Sequence, residues 1–327
     1  MRPLDMYYQA LSFIAPRTPL VRSRILNAAL HGIPYTRLRK PHLGMFQPDS
    51  MLGWSHLKGV EAVHPSFEFR VRYKIDGSGR RETGHSGSSS EVAILGCSWA
   101  FGHGVNDNET FAARLFREQG ISVHNYACMG YGPAQGYLQL LHRVDLKQVV
   151  ANGGVVAYVW VPDQLVRAWR RLEWIVLNSW VNPHGPSHPV FDLDNQGLRH
   201  IGLVGREGAR VDPPLLPGVV ERTEWRITAL LIGAMHELVT ATGRQFMVVV
   251  PPLPDRKQDQ AAGQKLVALL RESGVPCTDM SHEANTGRSD RSSMFYRFDE
   301  HPTAIWHAAV ADSLAKAILK VTAVQES

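Results

Sequence analysis

The sequence predicts an α/β chain: a three-layer α/β/α sandwich on a five-stranded parallel sheet, with an N-terminal extension and an insertion after the third strand. Three observations predict it. Short apolar runs such as Val92–Leu95 and Val155–Val161 have the pattern of strands buried on both faces. Segments of helical spacing alternate with these runs, the order that winds a parallel sheet in the right-handed sense. The first run stops at Gly96 and is followed at once by Ser98, a hydroxyl residue placed where an open α/β sheet takes its ligand.

Residues 1–89 read as the extension. Met6 to Ile14 and Val21 to Leu30 are short helical candidates, separated by Pro16 and Pro19. Phe67 to Ile75 alternates apolar and charged residues, the pattern of a strand with one wet face, and Asp76-Gly77 supplies a turn. Gly84 to Ser90 is a loop into the main domain, residues 90–327. After the first strand, Asn108 is the expected cap of a helix with Phe111, Leu115 and Phe116 on one face and Gly120 at its end. Ile121 to Ala127 is the second strand. It runs into Cys128-Met129-Gly130-Tyr131-Gly132-Pro133, with Pro133 suited to the first turn of a helix whose stripe is Leu138, Leu141 and Val144.

The third strand, Val155 to Val161, precedes an insertion at about 165–222 that holds Trp169, Trp174 and Trp180. It reads either as a lid or substrate wall or as a surface excursion with its own small core. Glu224 to Thr242 is a helix with Ile227, Leu230, Leu231, Ala234 and Leu238 on one side, and Phe246 to Val250 is the fourth strand. Gln258 to Ser273 is a helix stopped by Gly274, and Val275 to Met280 is a weaker fifth strand. The last helix spans about Thr303 to Val321, with Trp306, Val310, Leu314, Ala317 and Val321 on its buried face.

Composition narrows the function classes. The 327 residues carry a net charge of +5, with Lys and Arg scattered, so no nucleic-acid footprint is read. Cys97, Cys128 and Cys277 stand far apart inside apolar runs, without zinc spacing or a disulfide framework. No metal or organic cofactor is expected. No stretch reaches 18 apolar residues, so no transmembrane segment is expected, and charges interrupt the N-terminal apolar residues where a signal peptide would be. The expected location is cytoplasmic.

Two short stretches carry chemistry. Ser98 lies on the turn from a buried strand into a helix, where helix N-terminal amides stabilise developing negative charge. Serine at its free pKa is a poor nucleophile and needs a base with an acceptor that fixes its tautomer. Asp299-Glu300-His301, in a loop ahead of the last helix, offers both: His301 as the base and Asp299 as its orienting acid. His307 is a rival base expected on another face of the helix, and His103 reads as a wall residue.

Taken together these stretches resemble the SGNH, or GDSL-like, hydrolase superfamily over residues 90–321. That family's first block is a Gly-Asp-Ser stretch leading to a glycine. Here it reads Gly96-Cys97-Ser98-Trp99-Ala100-Phe101-Gly102-His103-Gly104-Val105, continued by Asp107-Asn108-Glu109-Thr110-Phe111. The second block places a glycine amide in an oxyanion hole, and Asn125 to Gln135 matches it with Gly130 at that position. The last block carries Asp and His, as Asp299 and His301 do.

The sequence also departs from the family. Cys97 replaces the aspartate before the nucleophile. The third block lacks its oxyanion asparagine, and within Tyr158 to Arg167 the candidate substitutes are Gln164 and Arg167. Loss of such a donor costs about a hundredfold in rate. The two-residue Asp–His spacing is similar to that of SGNH-like polysaccharide O-acetyltransferases.

The resemblance implies a flavodoxin-like fold and a serine esterase acting on an O-acyl ester of a small molecule or carbohydrate. Ser98, His301 and Asp299 would be catalytic, with an oxyanion hole of Ser98, Gly130 and Gln164. Trp99, Trp160, Asp163 and Arg167 are the substrate-side candidates, the tryptophans having core or lid packing as their other role. The alternatives are acyl transfer to a sugar or metabolite hydroxyl by the same residues, and a binding module that keeps the fold without the chemistry.

Overall fold

The computed structural model describes residues 44–66, 68–169, 188–195, 197–203, 217–281 and 293–323. The expected helices before residue 44, and Trp174 and Trp180 of the insertion, lie outside the described residues. In chain order the strands are β1 (Phe46–Asp49), β2 (Gly53–His56), β3 (Glu61–Pro65), β4 (Arg70–Lys74), β5 (Ser90–Gly96), β6 (Val123–Asn125), β7 (Val150–Val159), β8 (Pro189–Asp194), β9 (Gly197–Leu203), β10 (Gln245–Val250) and β11 (Cys277–Asp279). The helices are α1 (Ser98–Phe101), α2 (Phe111–Gln119), α3 (Pro133–His142), α4 (Leu146–Val149), α5 (Pro217–Thr240), α6 (Lys257–Glu272) and α7 (Ala304–Ala323).

β5, β6, β7, β10 and β11 form one parallel sheet in the order β6-β5-β7-β10-β11. Numbered along the sheet's own strands this is 2-1-3-4-5, the flavodoxin-like winding, whose switch point lies between the first and third strands. The central strands are apolar and buried on both faces, because helices cover both: Val92 to Leu95, Val155 to Val159 and Phe246 to Val250 all lie in the core. Ser98 leaves β5 at that switch point, so the sequence places its hydroxyl in the crevice at the carboxyl ends of the strands.

The first four strands pair as two antiparallel hairpins, β1–β2 and β3–β4. Alternation sends Phe69, Val71, Tyr73 and Ile75 inward, and they join the same core as the sheet. β8 and β9 make a third hairpin inside the expected insertion, and α5 begins at Pro217, before that segment was expected to end. Among the described residues no helix is long and apolar enough to cross a membrane.

Several boundaries differ from the sequence reading for local reasons. α2 is capped by Thr110, whose hydroxyl accepts from the Ala113 amide, and not by Asn108, which sits in a 3-10 turn at Asp107–Glu109. Leu141 and Leu230, expected on buried stripes, are 41% and 40% exposed, because they line a groove between α3 and α5. His307 faces the core away from Ser98: its Nδ1 accepts from the Phe111 amide at 3.3 Å, its ring stacks on Phe111, and burial lowers its pKa to about 3. Its Nδ1 is therefore committed to α2, while Ser98 Oγ meets His301 instead.

Candidate active site

Gly96 ends β5 at φ +146°, and a Cβ there would lie 2.9 Å from the Val159 carbonyl oxygen and 2.9 Å from the Ala100 Cβ. Only glycine lets the strand break sharply enough for Ser98 to open α1 directly. As the first helical residue, Ser98 has an N–H without an intrahelical acceptor, while its carbonyl accepts from the Gly102 and His103 amides. Cys97, the residue before it, is fully buried.

The other half of the site comes from the loop before α7. Glu300 has φ +62°, the one non-glycine residue at positive φ among the described residues. This left-handed step costs about 1 kcal/mol or more. It turns the chain so that Asp299 and His301, two residues apart, converge instead of pointing to opposite sides. The turn is held by backbone bonds from Tyr296 N to His301 O and from Glu300 N to Tyr296 O, and by the Arg256–Glu300 ion pair at 3.1 Å.

Across 203 positions of sequence the two segments meet. Ser98 Oγ lies 2.9 Å from His301 Nε2, and His301 Nδ1 lies 2.6 Å from Asp299 Oδ1. All three side chains are buried. With the carboxylate accepting from Nδ1, the neutral ring's Nε2 is left as an acceptor for the serine proton. Burial pushes the Asp299 carboxyl up, but the His301 and His103 rings beside it outweigh that effect and hold it well below the usual carboxylate range.

The N-terminal hairpins brace both halves. Glu68, in the β3–β4 connection, accepts from the Asp299 amide at 2.6 Å and from the Phe298 amide at 3.1 Å. Tyr73 Oη accepts from the Gly104 amide at 3.0 Å, just past α1. Trp54 of β2 donates from its indole to the Met129 carbonyl at 3.1 Å and accepts from Tyr131 Oη at 2.5 Å, fixing the loop around Gly130. Sequence reading missed these braces. The period-two pattern identifies Tyr73 as inward-facing, but it does not say which loop it meets.

Replacing Glu68 with alanine is expected to destabilise the fold by about 1–3 kcal/mol, since it leaves the Asp299 and Phe298 amides without their acceptor. Glu68→Gln, which keeps an acceptor oxygen, should recover most of the loss. Thermal unfolding of the two variants checks this, and an alanine variant with an unchanged midpoint refutes the bracing role.

The remaining sequence candidates divide. Gly130 sits in the left-handed region at φ +82°, in the loop between β6 and α3. Gln164 does not match its expected role. It is fully buried, its Oε1 accepts from Tyr158 Oη at 2.5 Å and its Nε2 donates to the Val159 carbonyl at 3.0 Å, so its amide is engaged in holding the end of β7. Arg167 is also turned inward, donating to the Tyr131 carbonyl at 2.9 Å, and its own carbonyl accepts from His188 Nε2 at 2.6 Å. It supports the Gly130 loop and does not offer its guanidinium to solvent.

Trp99 packs against Phe295 and edge-on to Trp306, and Trp160 is fully buried against Trp225. Both are core residues without a free ring face for a substrate, which corrects the substrate-side expectation for them. Trp169 is likewise buried. Asp163 is exposed on the 3-10 turn after β7. Among the described residues the one group of His, Cys, Asp and Glu close enough to share an ion is His103, Asp299 and His301, the hydrogen-bonded Asp299–His301 pair with one added imidazole.

No family model matches the chain, and no curated protein matches it. Among solved structures it is similar to a member of the lipolytic G-D-S-L protein family from Veillonella parvula. That pair is 10% identical over 70% of this chain and 98% of the other, with a TM-score of 0.43. It is also similar to a G-D-S-L family lipolytic protein from Desulfitobacterium hafniense, at 11% identity over 69% and 97% of the two chains and a TM-score of 0.42. A third similar structure is a catalytic mutant of an acetylxylan esterase from Geobacillus stearothermophilus, at 11% identity over 71% and 95% with a TM-score of 0.41.

Proposed function

We propose that the chain is a serine hydrolase that cleaves an O-acyl ester of a small molecule or carbohydrate through an acyl-enzyme on Ser98. The observation that carries this reading is the buried relay, 2.9 Å from Ser98 Oγ to His301 Nε2 and 2.6 Å from His301 Nδ1 to Asp299. These are the distances at which a base can take the serine proton and an acid can fix the base's tautomer.

In this mechanism Ser98 Oγ attacks the ester carbon while its proton passes to His301 Nε2. The carbonyl electron pair moves onto oxygen, and the N–H groups of Ser98 and Gly130 stabilise that oxyanion. The intermediate collapses by breaking the bond to the alcohol oxygen, which leaves with the proton from His301. A water then attacks the acyl carbon as His301 takes its proton. Collapse returns that proton to Ser98 Oγ and frees the carboxylic acid. Throughout, Asp299 stabilises the imidazolium and is not itself protonated.

The experiment is labelling with a fluorophosphonate, followed by peptide mass spectrometry. One adduct is expected, on the Ser98 peptide. A protein left unlabelled beside a serine esterase that labels in the same tube overturns the reading.

A further inference from the structure

The relay uses one of the two imidazoles that face Asp299. The other, His103, lies on the turn that follows α1, with its Nε2 3.5 Å from Asp299 Oδ1, the same oxygen that is 2.6 Å from His301 Nδ1. The two rings overlap, with centroids 4.1 Å apart and planes 37° from parallel, and both are buried. His103 is also held from behind. Phe69 and His64 meet its ring edge-on at 5.5 Å and 4.8 Å. The backbone of its neighbour Gly104 is clamped by Tyr73 Oη at 3.0 Å and by Tyr296 Oη at 2.8 Å.

We propose, on the basis of the relay reading above, that His103 is a positioning residue that shares Asp299 with His301 and keeps His301 in the free-base form that must take the Ser98 proton. Two physical effects lead there, and both act in the same direction. While His103 is neutral, a proton on its Nε2, 3.5 Å from Asp299 Oδ1 and longer than a formed hydrogen bond, draws on the carboxylate's charge through space and weakens its pull on an added proton at His301. Once His103 is protonated, a second positive charge 4.1 Å away opposes protonation of His301.

The charged and titratable groups around His103 are consistent with this. Asp299 and His301 face it from the site loop, His64 from β3 and Tyr73 from β4. Glu68 is engaged by the Asp299 and Phe298 amides, and Arg81, 4.5 Å over the Tyr73 ring, is paired with Asp107 at 2.7 Å. Asp299 is thus the carboxylate that the two imidazoles have in common. A purely structural His103 would fill space between Phe69 and His301 and leave the titration of His301 unmoved.

The test compares His103→Phe, which keeps a ring but no proton, with His103→Gln, which keeps a donor. Rates on p-nitrophenyl acetate are read against pH. In His103→Phe the acid limb of kcat/KM is expected to move to higher pH by about one unit with KM unchanged, and His103→Gln should restore most of the shift. A folded His103→Phe whose acid limb stays in place or moves to lower pH overturns the proposal. Should that variant not fold, the wild-type protein decides. The His301 ring resonances followed by NMR are expected to respond in two steps, one of them coincident with the titration of His103, and a single independent step overturns the proposal. The NMR measurement needs no turnover, so its failure is distinct from failure of the relay reading, which fluorophosphonate labelling of Ser98 reports.

Discussion

Ser98→Ala is expected to reduce kcat/KM on p-nitrophenyl acetate by about a million-fold, to the residual that an oxyanion site and binding supply without a nucleophile. The magnitude follows from what the side chain does in the proposed mechanism. Without Oγ there is no acyl-enzyme, and His301 loses the hydroxyl it would activate. The fold should survive, because the substitution removes one oxygen whose bond is to His301 Nε2, at 2.9 Å. Loss of one such bond costs about 1 kcal/mol. The expected result is therefore a folded protein, judged by an unchanged circular dichroism spectrum, with the same thermal midpoint to within a few degrees and no rate above background. A variant that retains the wild-type rate removes Ser98 as nucleophile and with it the proposed function.

What made the fold legible is that buried parallel strands carry their burial in composition. Val155 to Val159 and Phe246 to Val250 have no polar side chain apart from the Tyr158 hydroxyl, and helices on both faces require that. The crevice was legible for the same reason, since a strand that stops at a glycine before a serine fixes where that serine emerges. The Asp299–His301 pair was legible as residue types, yet their convergence depends on Glu300 taking a left-handed conformation that its own identity does not announce.

What was not legible is long-range polar assignment. Gln164 has the chemistry of an oxyanion donor, and nothing local says that Tyr158 Oη and the Val159 carbonyl occupy its amide. Trp99 and Trp160 are as suitable for a sugar face as for a core, and only packing against Trp306 and Trp225 separates the two roles. Glu68 reaches the Asp299 amide across 231 positions, and the reading of residues 1–89 as an appendage gave no reason to look for it. The loops that carry Ser98, Gly130 and Asp299 are positioned by β2, β4 and the β3–β4 connection, and Gln164 stabilises the strand end behind them.

The Asp299→Asn substitution separates geometry from charge at the same site. Asparagine matches the carboxylate in shape, and its amide keeps the backbone N–H that Glu68 accepts at 2.6 Å, so the loop and the His301 ring should stay in place. What changes is the tautomer. An amide NH₂ facing Nδ1 turns that nitrogen into an acceptor and puts the proton on Nε2, where it can no longer receive the one on Ser98 Oγ. The imidazolium also loses its counter-charge. The expected fall in kcat is about ten-thousand-fold with KM little changed, measured on p-nitrophenyl acetate above neutral pH.

A stability readout accompanies it. The folded Asp299 carboxyl titrates well below its ordinary value of 3.8, so its ionised form contributes stability that is fully present above that value and is lost as pH falls through the folded one. The difference in thermal midpoint between wild type and Asp299→Asn should therefore shift against the wild type as pH drops below about 4. A variant that keeps wild-type kcat, or a difference that does not change on acidification, would mean that the short Asp299–His301 bond neither fixes the base nor carries its charge.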